Sequence, residues 1–218
     1  MESDSTIEIV PLSSEHGTDI INFLMSSFFL QEPLNAKLQF KLPDEPMTWA
    51  VHIVEGSIND QCSFVAIDTT TPNKNVVGVI LNGITDRTQE QTEFVTPSEK
   101  LNFIFSIIDK VSHGHDLFEK YETDRLFHCD VININENQRG QKLSIPLITA
   151  SLDKARQLGI KGASVVCTSL YSRKAFERQG FKVINEILYS QLGDERLTNM
   201  DDHARCTLLG TEIVNIDD

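Results

Sequence analysis

Between Phe127 and Tyr189 the chain switches repeatedly between short β-branched runs and amphipathic stretches, and glycines mark two of the changes. Phe127–Ile134 reads as a strand, 138–144 as a turn, and Leu143–Leu158 as a helix closed by Gly159. Gly162–Cys167 is a strand, Leu170–Gln179 a short helix closed by Gly180, and Phe181–Tyr189 a strand. Such a β-turn-α-β-α-β unit demands a sheet covered by helices on both faces, so all-α and all-β architectures are excluded. Pro146 is compatible with its helix in the first turn, where backbone N–H groups have no intrahelical partner.

Upstream, residues 6–12 alternate as a strand. Ser13, Ser14 and Glu15 then open an amphipathic helix that runs to about Phe29 and closes near Pro33. Ser63–Ile67 and Val76–Asn82 read as adjacent antiparallel strands joined by the turn-rich TTTPNKN. Residues 97–111 carry Leu101, Ile104, Phe105 and Ile108 at helical spacing, and Arg205–Ile213 is a closing strand. With 218 residues, 40% of them apolar and 23% charged, and no repeat or linker, one domain over 1–218 is expected.

No window approaches 18 uninterrupted apolar residues, and the first ten residues lack a basic then apolar secretory pattern; a soluble cytoplasmic protein, not membrane-associated, is expected. Cys62, Cys129, Cys167 and Cys206 are too widely spaced for a metal knuckle or a disulfide framework, which points to reduced thiols. His113 and His115 have ligand-like spacing without further ligands, so no metal is expected.

The formal charge of −13 disfavours nucleic acid and anionic membranes. It is unevenly distributed. Residues 139–182 carry nine bases against Asp153 and Glu177 alone, a local +7. This is either a solvated basic helix face or a site for a polyanionic cofactor. Its position favours the second, because it begins at Gln138-Arg139-Gly140-Gln141-Lys142-Leu143-Ser144, a strand-to-helix turn where free N–H groups and a helix dipole converge. In the strand before it, Phe127, Cys129 and Val131 share one parity and Ile132 and Ile134 the other. A β-bulge or a strand buried on both faces explains this equally well.

Arg139 and Gly140 fit the pyrophosphate loop of the GNAT N-acetyltransferase superfamily, and residues 167–181 resemble its closing helix with a Gly-Phe ending. Phe28-Phe29-Leu30-Gln31-Glu32-Pro33-Leu34-Asn35 resembles the FF-x-x-EPLN signature of insect-type arylalkylamine (dopamine-like) N-acetyltransferases, including the agmatine and polyamine branch. Gly78–Gly83, Cys167–Ser172 and His203 resemble further landmarks of that branch.

The resemblance implies a mixed, mostly antiparallel α/β sheet flanked by helices, with a splayed parallel strand pair for acetyl-CoA. It implies acetyl-CoA as co-substrate, held by Ile132, Ile134, the 138–144 turn and Ser169. The other substrate is a small cationic amine, bound near Pro33 and His203, and a monomer is expected. Glu32 takes the role of base, and Thr168 and Ser172 fall on two active-site serine positions. The usual tyrosine acid is replaced by Phe176, leaving Tyr171, Ser172 or water to protonate the thiolate. Lys142 stands where the loop usually has glycine, and Ser144 where Gly or Ala is usual. The lysine either adds a cation or blocks close backbone approach. A non-catalytic acyl-CoA-binding module and a protein N-acetyltransferase are the rival readings.

Overall fold

The computed structural model describes residues 7–70, 75–89 and 94–214. Its centre is a seven-stranded sheet in the order β1-β2-β3-β4-β5-β7-β6. The strands are β1 (Ile7–Pro11), β2 (Phe64–Asp68), β3 (Asn75–Asp86), β4 (Arg125–Ile134), β5 (Gly162–Cys167), β6 (Lys182–Leu188) and β7 (Arg205–Glu212). Every neighbouring pair is antiparallel except β4 and β5. Each predicted strand is present within a residue or two at either end, except that β3 runs four residues past Asn82, to Asp86. The connection expected between β2 and β3 falls partly outside the described residues, as does Thr6.

The sheet is covered on both faces because its strands alternate apolar side chains to two separate cores. One core gathers Val65, Val79, Leu81, Val131 and Leu208 beneath the N-terminal helices and α5 (Glu99–Ser112). The other gathers Ala66, Ile80, Phe127 and Val165 beneath α7 (Ser144–Gln157) and α8 (Leu170–Glu177). In α7, Leu147, Ile148, Ser151, Leu152 and Ala155 form the buried stripe, and Pro146 lies in the first turn.

The helix expected from Ser14 to Phe29 is not uniform. It opens as a 3-10 turn, runs as α1 (Gly17–Phe23), widens to a π turn at Leu24–Phe28 and finishes as α2 (Phe29–Gln31). Such widened turns are rare and recur at functional sites. Glu32 leaves the helix with ψ 128°, and Pro33 opens α3 (Pro33–Leu38) as well as closing what precedes it. The sequence reading omitted α4 (Asp44–Asp60), which packs on β3 and α1, and the short α6 (Leu117–Lys120).

The β4–β5 pair opens into a V. The two strands are in register from Leu126↔Gly162 to Cys129↔Val165 and no further. Beyond that point β4 continues along β3 alone and β5 along β7 alone. On β3, Leu81 faces Val131 and Asn82 faces Cys129, which leaves Asp130 as an extra residue. That is a bulge, one residue earlier than the parity change suggested. It turns Val131 toward the first core and returns Ile132 and Ile134 to the side of Phe127 and Cys129. Both readings of this strand hold, since it is bulged and covered on both faces.

Candidate active site

Glu32 is the N-cap of α3, and its carboxylate accepts the Asn35 N–H at 2.8 Å. The other carboxylate oxygen accepts the Thr168 hydroxyl proton at 2.9 Å, from 136 residues further along the chain. Burial pushes the Glu32 carboxyl above its ordinary range. The bonds from Asn35 and Thr168 favour the anion but do not cancel that effect.

The carboxylate borders a cavity of about 100 Å³ at the mouth of the V. Phe28, Phe29, Trp49, Leu101, Ile104, Phe105 and Ile108 supply the apolar wall. Phe28 stacks on Trp49 at 6.3 Å between ring centroids, and Phe29 meets the same indole edge-on at 5.8 Å. Cys129, Asp130, Val131 and Ile132 from β4, with Val165, Val166, Thr168, Ser169 and Ser172 from the opposite side, close it.

The three hydroxyls beyond β5 have divided roles. Ser169 caps α8, accepting the Ser172 N–H at 3.2 Å, while Thr168 turns to Glu32. The Ser172 hydroxyl lies 3.0 Å from that of Ser169 and also bonds the Ser169 carbonyl. Phe176 is buried against Phe181, so no phenol occupies its position. Tyr171 points away from the cavity, 69% exposed, with its ring against His203. Of the candidate acids, Ser172 alone lines the cavity.

In the 138–144 turn, Gly140 has φ +86° and Lys142 φ +60°. The lysine therefore holds the left-handed conformation for which glycine is ordinarily used. Among the described residues, the N–H groups of Gly140, Lys142, Leu143 and Ser144 donate to no internal acceptor. The bases Lys142, Lys154, Lys161, Lys174, Arg178 and Lys182 form no ion pair there either, whereas Arg156 and Arg173 are paired. The Arg139 guanidinium donates to the Gln31 side chain at 2.6 Å, and Gln31 in turn donates to Glu136 at 3.1 Å. This ties the 138–144 turn to the residue beside Glu32.

The predicted residues thus converge with few exceptions. Glu32, Thr168, Ser169, Ser172 and Ile132 share the cavity; Gln138, Arg139, Gly140, Gln141, Lys142, Leu143 and Ser144 form the turn beyond it. Ile134 packs in the second core, and Pro33 starts α3 without lining the cavity. His203 is also off the cavity. Its Nδ1 accepts the Leu170 N–H at 3.2 Å, so it braces the start of α8. Trp49 was missed because α4 was missed. Asp130 has no motif around it. Among the described residues no three His, Cys, Asp or Glu side chains gather as a metal site, and no helix is long and apolar enough to cross a membrane. All four cysteines are buried and free.

A mixed sheet splayed between two parallel strands, with a strand-to-helix turn beyond the opening, defines the GNAT fold, and this chain has it. The chain is similar to arylalkylamine N-acetyltransferase 2 from Aedes aegypti over 96% of its length and 100% of that chain, with a TM-score of 0.81 and 23% identity. The polyamine N-acetyltransferase of Drosophila melanogaster, which forms N-acetylagmatine, is similar over 94% and 99% of the two chains, with a TM-score of 0.72 and 17% identity. The C-terminal condensation domain of Ebony, solved with β-alanyl-dopamine, is similar over 95% and 99%, with a TM-score of 0.78 and 18% identity. No protein-family model matches the chain.

Proposed function

We propose that this protein is an acetyl-CoA-dependent N-acetyltransferase of small primary amines, with arylalkylamines as the favoured acceptors. The observation that carries the reading is an inward carboxylate, Glu32, in an aromatic-walled cavity at the opening of the β4–β5 V. The residues present suit acetyl-CoA. Among the described residues, four N–H groups of the 138–144 turn are unspent, Lys142 within it forms no ion pair, and the β4 edge beyond Cys129 has no β5 partner. Acetyl-CoA supplies the activated acyl group, and the rest of the work belongs to the chain.

Glu32 accepts a proton from the ammonium, directly or through water, freeing the nitrogen lone pair to attack the thioester carbonyl. Its raised pKa makes it a better base than an exposed carboxylate. As the C–N bond forms the C–S bond breaks; Ser172, which lines the cavity, donates its proton to the departing thiolate and regains one from the acylated nitrogen. A coenzyme A thiol is a far better leaving group than an amine, so a weak donor is enough. The aromatic wall excludes water from the same space.

The test is release of coenzyme A from acetyl-CoA with tyramine, dopamine, serotonin, agmatine and spermidine, for wild type and Glu32→Ala in parallel. Turnover of one amine group, largely lost in the variant, is the expected result. Saturable coenzyme A binding without turnover would leave an acyl-CoA-binding module, the reading to which Phe176 and Lys142 contribute. Turnover of peptides above free amines would make it a protein acetyltransferase. Undiminished turnover in Glu32→Ala would discard the base.

A further inference from the structure

Thr168 occupies an awkward place in the backbone. The last ladder pair of β5 is Cys167↔Thr207, and the cap of α8 is Ser169, so Thr168 belongs to neither element. Its hydroxyl nevertheless has to point at Glu32. What holds its peptide is Tyr189, whose hydroxyl donates to the Thr168 carbonyl at 2.8 Å. Tyr189 is itself fixed. It is 1% exposed, packed in the first core, and its N–H donates to the Ala204 carbonyl at 2.9 Å. A buried phenol must spend its proton on some acceptor. Here that acceptor is the peptide carrying the hydroxyl that bonds the base.

We propose that Tyr189 is a positioning residue for Glu32, acting through the Thr168 peptide and hydroxyl. The relay runs from the Tyr189 hydroxyl to the Thr168 carbonyl, then from the Thr168 hydroxyl to the carboxylate. Without the phenol proton the half-buried Thr168 carbonyl loses its hydrogen-bond partner. The peptide then turns to find another donor, carrying the hydroxyl off Glu32. The carboxylate loses a bond that favours its charged form, and its proton affinity rises.

Among the titratable neighbours, Asp130 on β4 lines the same cavity and lies 3.4 Å from His128 Nε2, a contact that none of the substitutions below touches. Cys167 on β5 and Cys206 on β7 are both pushed up to about 12 by burial. Tyr189 is raised above its ordinary value by burial, with the charges of Cys206 and Glu32 adding to it. His203, lowered by burial, faces the Leu170 N–H rather than Glu32.

The kinetic role rests on Glu32 being the base, so the experiment has one readout that needs turnover and one that does not. Wild type, Tyr189→Phe, Thr168→Val and the double variant are compared in the acid limb of kcat/KM. The Glu32 side-chain carboxyl is titrated by carbon NMR in the substrate-free proteins, assigned with Glu32→Gln. Tyr189→Phe should move both titrations to higher pH and lower kcat/KM near neutrality by about three- to tenfold, the kinetic weight of one neutral hydrogen bond. The KM for acetyl-CoA should not change. The double variant should match Thr168→Val alone, because the phenol has nothing left to position. Wild-type titration in Tyr189→Phe would overturn the proposal, and so would a double variant in which the two shifts add. If no amine is turned over, the acetyltransferase reading fails, and the NMR titration still decides the relay. Thermal unfolding confirms that each variant is folded, and Thr168→Ser, which keeps the hydroxyl, should restore the wild-type titration.

Discussion

Glu32→Gln should make the protein more stable at neutral pH while removing most of its activity. Glutamine keeps the shape and both contacts. Its amide oxygen accepts the Asn35 N–H, and its NH2 group meets Thr168, whose hydroxyl reverses to accept. The cap on α3 therefore survives and only the charge is lost. In the native protein that charge is a cost, because burial holds the Glu32 carboxyl above its ordinary value of 4.5 against the two bonds that favour ionisation.

The folded state thus binds the proton more readily than the unfolded state. The penalty is absent below the unfolded value, grows as pH rises, and is complete above the folded value. Desolvation of an inward carboxylate costs several kcal/mol, and two bonds to a charged acceptor return about 1.5–3 kcal/mol each. Burial wins that balance, so Glu32→Gln should unfold above wild type at pH 7.5, by about 2–4 °C for each kcal/mol of net cost removed. The two proteins should converge toward pH 4. Loss of a general base should lower kcat by about 10²–10⁴-fold. Calorimetric unfolding from pH 4 to 8 is the assay. A wild type more stable than Glu32→Gln at pH 7.5, or a gap that does not change with pH, would refute the reasoning.

Two further outcomes follow from the cofactor half and from the thiols. Lys142→Gly removes an ammonium and relaxes a left-handed lysine, so stability should change by less than about 1 kcal/mol. Coenzyme A affinity should fall about three- to tenfold at low ionic strength, with the difference shrinking in 0.5 M salt as screening sets in; tighter binding by the glycine variant would show that the lysine obstructs. Cys62, Cys167 and Cys206 are pushed up to about 12 by burial, and Cys129 is raised by the same cause. The folded protein should therefore leave all four thiols unreacted with an aromatic disulfide reagent at pH 8, and the unfolded chain should react at all four.

Much of this was legible from local pattern. The strand and helix order from Phe127 to Tyr189 is written in periodicity and glycines, and the Glu32 signature with the Thr168–Ser172 segment located the two halves of the polar site. What escaped depends on contacts distant in sequence or on weak patterning. In α4 the buried residues Pro46, Ala50, Val54 and Ser57 make a thin stripe, with proline in the first turn and Gly56 near the end. No strong helical period announces it, and Trp49 went unnoticed with it. The segment from Tyr189 to Ala204 has no period at all. It is built of 3-10 turns and left-handed residues at Gly193, Asn199 and Asp201. Tyr189 and His203 act by reaching Thr168 and Leu170, contacts that no spacing in the chain encodes.

A charge of −13 suits polycationic acceptors, and the cavity argues for the opposite preference. A net field acts on encounter, and it draws tyramine and spermidine alike because both are cations. Discrimination has to come from the walls. There, one carboxylate, Glu32, faces a lining of aromatic and branched aliphatic side chains. Asp130 also lines the cavity, but its carboxylate lies 3.4 Å from His128 Nε2. Burial works to lower His128, and the charges of Asp130 and Asp60 outweigh it, so the imidazole holds its proton more firmly than usual and occupies Asp130. A second ammonium on the substrate would find apolar rings and an acid already paired, at the cost of its own desolvation. The expected outcome is a kcat/KM for tyramine above that for spermidine, lost chiefly through KM in Trp49→Ala, where stacking of about 0.5–1.5 kcal/mol disappears. Spermidine favoured over tyramine, and unaffected by Trp49→Ala, would place the acceptor on the acidic exterior and take the aromatic wall out of substrate recognition.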